Sequence, residues 1–141
     1  MARIVEGKLV VPGEAAGITL ASSEPLSFWG GYDQASGEII DRRHPLSGEC
    51  GAGRILVLPY TRGSSTSTAI LLESVRAGVA PAALVTDRAD LFLALASVVA
   101  HEMYKASFPI LAVSPEQFGD IPSGVRARLL GASLHLEPVR S

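Results

Sequence analysis

Arg54-Ile55-Leu56-Val57-Leu58-Pro59 runs into Tyr60-Thr61-Arg62-Gly63-Ser64-Ser65-Thr66-Ser67, and the reading of this stretch decides the fold. Residues 54–59 are a continuous apolar run, the pattern of a strand covered on both faces, as in a parallel sheet. The polar turn that follows opens a helix over 67–77, whose Ala69, Ile70, Leu72 and Val75 follow helical spacing. Gly78 then closes it. A second buried strand is expected over 81–86, then a helix over 88–105 that is apolar nearly all round and so expected to be buried. Residues 108–113 read as another strand, and Ser114-Pro115-Glu116 opens a short helix with Ser as cap and Pro first.

Upstream, 2–11 alternate as one strand that ends at the Pro12-Gly13 turn, and 14–22 form a second. Between 23 and 51 lies a long polar, glycine-rich segment whose one short strand candidate is 38–41. Connections of this length are usually functional or disordered, and the Phe28-Trp29 pair favours an ordered, functional loop. Residues 126–139 read as a terminal strand or hairpin. A β-rich first half followed by strand–helix–strand–helix–strand gives an α/β fold of mixed α+β type, a mixed sheet with flanking helices. No internal repeat or linker divides the chain, so residues 1–141 are expected to be a single domain.

Composition narrows the function classes. The chain has 141 residues, 12 Lys+Arg against 14 Asp+Glu, 48% apolar residues and 18% charged ones. Mean hydropathy is +0.31 and the isoelectric point about 5.9. That is too apolar for disorder and lacks the basic footprint of a nucleic-acid binder. The run 91–100 is the longest apolar stretch and is far short of the roughly 20 residues of a membrane helix. Residues 1–11 carry Arg3, Glu6 and Lys8, which breaks up any signal-peptide core, so a cytoplasmic location is expected. One cysteine, Cys50, cannot form an internal disulfide or hold an iron–sulfur cluster. It reads as a small buried residue.

Two segments can carry chemistry. In Arg62-Gly63-Ser64-Ser65, Gly63 permits a sharp turn, and the hydroxyls sit where unpaired N–H groups at a helix start favour an anion. A serine hydroxyl needs such help before it can act as a base or nucleophile, and Arg62 can add charge or clamp a carboxylate. The plain alternative is helix capping, which Ser/Thr clusters perform routinely. In Phe28-Trp29-Gly30-Gly31, two aromatics before paired glycines suit a loop over a pocket, or else a plug for a barrel-like sheet. His44 is an acid/base candidate, although a lone loop histidine is more often a surface residue. Asp33 and Asp41 read as turn residues, and His101 as helix packing or capping.

The order of these motifs adds to each one. Glu24-Pro25-Leu26-Ser27-Phe28-Trp29-Gly30-Gly31, Asp33, Gly37, His44-Pro45-Leu46, Gly48-Glu49, then 52–59, Arg62-Gly63-Ser64-Ser65 and 78–82 together resemble the swivel domain, or small subunit, of aconitase X. The resemblance spans about 5–113, with a poor match after Pro115. It implies the swivelling β/β/α domain of the aconitase superfamily, a barrel-like mixed sheet that closes over a large subunit carrying the cluster cysteines. It also implies Ser64 as the serine base, with Ser65, Arg62 and Gly63 binding the substrate carboxylate. Phe28, Trp29, Gly30, Gly31 and His44 would complete the substrate site. Thr66 stands where aconitases place an arginine after the serine pair.

The implied reaction is dehydration of a β-hydroxy carboxylate. The iron–sulfur cluster of the large subunit acts as Lewis acid on the leaving hydroxyl, and the serine removes the α proton. Family activities are the dehydration of cis-3-hydroxy-L-proline to Δ1-pyrroline-2-carboxylate, to which the Phe-Trp-Gly-Gly loop is closer, and the dehydration of phosphomevalonate, for which Arg42-Arg43 would supply positive charge. The competing class is a non-catalytic ligand-binding swivel module. A serine hydrolase is disfavoured, because Ser64 lacks a Gly-x-Ser-x-Gly elbow.

Overall fold

The computed structural model describes residues 3–59, 65–88, 91–106 and 108–137, with the side chains of Trp29, Ser65, Thr66, Ser67, Leu91 and Phe92 left outside the description. Eight strands run in the order β1-β8-β7-β3-β4-β5-β6-β2. They are β1 (Arg3–Glu6), β2 (Lys8–Val11), β3 (Ala15–Ala21), β4 (Ile55–Val57), β5 (Ala83–Thr86), β6 (Ile110–Ala112), β7 (Arg126–Leu130) and β8 (Ser133–Leu136). The helices are α1 (Phe28–Gly31), α2 (Ser65–Arg76), α3 (Leu91–Tyr104) and α4 (Pro115–Gly119). Among the described residues no helix is long and apolar enough to cross a membrane.

The two ends of this strand order, β1 and β2, are consecutive in the chain with Gly7 alone between them. The sheet therefore bends round into a nearly closed barrel. The expected single strand over 2–11 is in fact two, on opposite edges: β1 pairs antiparallel with β8, and β2 antiparallel with β6. Gly7 makes the break possible, because a Cβ there would lie 2.6 Å from the Ala112 carbonyl oxygen. Its N–H instead reaches Ala132 O at 2.9 Å, on the other edge.

β3 makes the second crossing. Its first half, 15–18, pairs antiparallel with β7, while 19–21 pair in parallel with β4. Thr19 stands at the changeover, fully buried, with Oγ1 donating to Pro122 O at 2.7 Å and accepting from Val125 N at 3.1 Å. Arg54 ties the same place from the other side, donating from Nε to Ile18 O and from Nη2 to Thr19 O, each at 3.1 Å.

β3, β4, β5 and β6 pair in parallel in that order. Along β4 the residues alternate between two cores. Ile55 and Val57 point into the barrel with Val85, Leu111, Leu129 and Leu134. Leu56 and Leu58 point out, against Leu71 of α2, Leu93 of α3 and the loop residues Leu26, Phe28 and Ile39. This double burial is why residues 54–59 read as a continuous apolar run. In β7 only Ala127 and Leu129 are buried, and Arg126 and Arg128 face water.

Two further expectations change. Residues 28–31, read as loop, form the single turn α1. The described helix α3 begins at Leu91, and it is not buried all round: Leu95 and Val98 are each 52% exposed. As expected, Ser114 caps the short helix α4, here through a full capping box with Gln117, and a hairpin of β7 and β8 follows.

Candidate functional site

The expected base Ser64, with Arg62 and Gly63, lies outside the described residues, and Ser65 is described only as the first residue of α2. What the structure defines is the frame around them. The chain leaves the parallel sheet at the carboxyl end of β4 and resumes at Ser65. Ligands of open parallel sheets gather at this edge, where successive strands feed helix N-termini. The first turn of α2 carries no acidic side chain, so nothing there offsets the positive end of the helix. At the carboxyl ends of β3 and β4 a cleft of about 180 Å³ opens, lined by Ser22, Ser23, Val57, Phe118, Ile121 and Ser123.

The loop over 22–51 crosses the same side of the sheet. Phe28 is fully buried, its ring 5.4 Å from that of Tyr32. It packs beneath the loop in the outer core, against Leu56, Leu58 and the helices, and so neither lines a pocket nor plugs the barrel interior. Gly30 is exposed at φ +77, and the space where a side chain would start is open for 4 Å around, while Gly31 is buried against Leu26. Tyr32 donates its hydroxyl to Val79 O at 2.7 Å, pinning the loop to the turn after α2. Burial, with Cys50 nearby, pushes the Tyr32 phenol well above its ordinary range.

His44 is buried, not a surface residue. Its Nδ1 accepts the Leu46 N–H at 3.1 Å, so the ring hydrogen sits on Nε2 and faces Glu24 O, also at 3.1 Å. Both nitrogens thus join the 24–28 and 41–46 segments. A second cleft, about 500 Å³, lies over this joint, lined by Glu24, Ser27, Asp41, Arg43 and His44 with two prolines. Arg43 shares this cleft with two carboxylates, whose charge offsets its own. Asp33 and Asp41 are turn residues as expected, accepting from Ala35 N at 2.8 Å and Arg43 N at 3.0 Å. Asp33 is held below the usual carboxylate range, first by that Ala35 N–H.

Cys50 is exposed, contrary to expectation, with its thiol 3.5 Å from Ser36 O. His101 is exposed too, on α3. Among the described residues no three His, Cys, Asp or Glu side chains gather as a metal site. With a single thiol in the chain, these residues do not fit an iron–sulfur cluster. Sequence reasoning missed the 22–23 and 123 serines of the smaller cleft, which come together only through the β3–β7 pairing.

Residues 4–137 match the aconitase X swivel domain family, a span that extends past Pro115, where the resemblance had been expected to end. The chain is 42% identical over 135 residues to a cis-3-hydroxy-L-proline dehydratase of Pseudomonas aeruginosa, covering 96% of this chain and 23% of that protein. It is 39% identical to one of Hypocrea jecorina over 82% of this chain and 20% of that protein. It thus spans less than a quarter of both. A phosphomevalonate dehydratase small subunit of Methanothermobacter thermautotrophicus is 33% identical over 68% of this chain and 73% of its own. Thermococcus kodakaraensis aconitase X in its holo form superposes with a TM-score of 0.85 at 24% identity, over 96% of this chain and 99% of that one.

Proposed function

Because the chain belongs to the family of aconitase X swivel domains, we propose that it is the small subunit of a hydro-lyase that dehydrates a β-hydroxy carboxylate, cis-3-hydroxy-L-proline being the substrate. The observation that supports this best is the frame on either side of 60–64: a doubly buried parallel strand and a helix start free of acid side chains, with a cleft lined by hydroxyls at the carboxyl ends of β3 and β4.

In this reading Ser64 takes the proton on the carbon α to the carboxylate. The electron pair of that C–H bond forms the new double bond and the hydroxyl on the β carbon departs as hydroxide, which together with the proton taken by Ser64 makes up the one water lost. The unopposed N-terminal charge of α2, with Arg62, lowers the cost of the serine alkoxide, while Ser65 and Arg62 hold the carboxylate. Gly63, Trp29, Gly30 and Gly31 shape the space around it. Phe28 and His44 act from beneath, by fixing the loop. A cluster that would assist the leaving hydroxyl as a Lewis acid would be held by the large subunit, since the single thiol of this chain cannot hold one.

A doubly charged phosphate would meet Glu24 and Asp41 beside Arg43, which favours the unphosphorylated, zwitterionic substrate. The relatives matched over 96% and 82% of this chain are both named cis-3-hydroxy-L-proline dehydratase. The test is reconstitution with the cognate large polypeptide, assayed on both substrates. The chain alone should be inactive and the pair should dehydrate cis-3-hydroxy-L-proline. Ser64→Ala should lower turnover by about 10²–10⁴-fold, the usual size of a lost general base, with assembly unchanged. Near wild-type turnover would remove Ser64 as the base, and activity of the chain alone would overturn the subunit assignment.

A further inference from the structure

The exposed face of α3 belongs to no part of the site described above. Among the described residues the large hydrophobics left exposed are Ile4, Ile40, Leu95, Val98 and Met103, and three of the five lie on α3. Leu95 and Val98 are one turn apart, each 52% exposed, and half-buried Val99 and 60% exposed Met103 continue the strip along the helix. From Leu91 to Ala100 the helix has no Asp, Glu, Lys or Arg. Ile4 and Ile40, by contrast, are single exposed apolar residues, Ile4 between exposed Arg3 and buried Val5 and Ile40 between buried Ile39 and partly buried Asp41. The neighbouring helix α2 is ordinary: its Glu73 and Arg76 form an ion pair in water. At the His101 end of α3 a groove of about 350 Å³ runs beside the strip, between Val98, His101 and Glu102 on one side and Val11 and Pro12 on the other. Isolated exposed leucines are normal, but a strip of this kind with a groove alongside marks a contact surface.

The relatives indicate what covers it. In the Pseudomonas aeruginosa protein the region matching this chain is 23% of the whole, so three quarters of that polypeptide lies beyond it. The Methanothermobacter thermautotrophicus relative, matched over 73% of its own length, is named a small subunit. A domain used in both ways needs a standing apolar contact with the rest of the enzyme. The geometry points to the Leu95–Val98–Met103 face of α3 as that contact, docking an apolar surface of the large subunit. This rests on the reading that a large subunit completes the enzyme, and adds that the anchoring face is a helix flank and not the active-site edge.

The experiment uses the full chain and its cognate large polypeptide. Leu95→Asp/Val98→Asp should leave the isolated chain folded by circular dichroism, since both side chains already stand half in water, and should weaken the complex on the order of 100-fold in Kd. Hydrogen exchange of the unmutated chain should show α3 amides gaining protection on complex formation. An unchanged Kd, or no gain in protection at α3, overturns this assignment while leaving the dehydratase reading intact. Self-association of the isolated chain that the double variant abolishes would make a second copy the occupant and overturn it also. Failure of the unmutated chain to bind the large polypeptide at all overturns both.

Discussion

The parallel and antiparallel halves of the barrel solve different burial problems with strands of similar length. In the parallel half, β4 and β5 are buried at every position, because α2, α3 and the loop over 22–51 cover the face that the barrel interior does not. In the antiparallel half, β7 alternates Arg126, Ala127, Arg128, Leu129 and turns every second residue to water. The covered half is also the half that brings a helix start to the sheet's carboxyl edge. The open half contributes interior packing and, through its pairing with β3, the serines of the smaller cleft. Double cover is thus what provides a polar turn with a rigid, dry support.

This contrast can be broken most severely by charge. Leu56→Lys and Val57→Lys should both prevent folding or cost more than about 4 kcal/mol, since each leaves an unpaired buried charge, one on each side of β4. A urea melt in which Leu56→Lys behaves like a surface variant would show that the helices do not cover that face. Gly7→Ala probes the seam where the halves meet. Its methyl would meet the Ala112 carbonyl oxygen at 2.6 Å, and a backbone atom cannot give way cheaply. A loss of about 2–3 kcal/mol is expected, as for an overpacked core. A neutral result in thermal unfolding would mean that β1 and β2 separate from their edges at little cost. Smallest is Arg128→Ala on the open face, expected within about 0.5 kcal/mol of the parent by the same melt.

The legible parts of the fold were those with a local cause. Residues 54–59 and 81–86 read as covered strands, Gly78 ends α2 at φ +77, and Ser114 caps α4, because each signal lies within a few residues of its effect. Expectations failed where the partner was distant. Nothing in 2–11 announces that Gly7 faces Ala112 on one edge and Ala132 on the other. His44 looked like a surface residue because its partner Glu24 is 20 positions away. Residues 28–31 were not read as a helix, since a single turn has no period to detect. Of the candidate site, the residue types and the order of motifs were readable in advance. The burial of Phe28 and the opposed charges around Arg43 were not.

The amino-acid sequence by itself determined the family and the strand–helix–strand frame, because residue order, apolar period and helix-end chemistry are local properties of a chain. Only the tertiary structure decided where the barrel closes, which of two apolar helix faces stays in water, and which loop side chains are buried. Those outcomes depend on which distant atoms arrive at each surface. An apolar helix reads alike whether its outer face meets a neighbour or solvent, and α3 meets solvent along Leu95 and Val98.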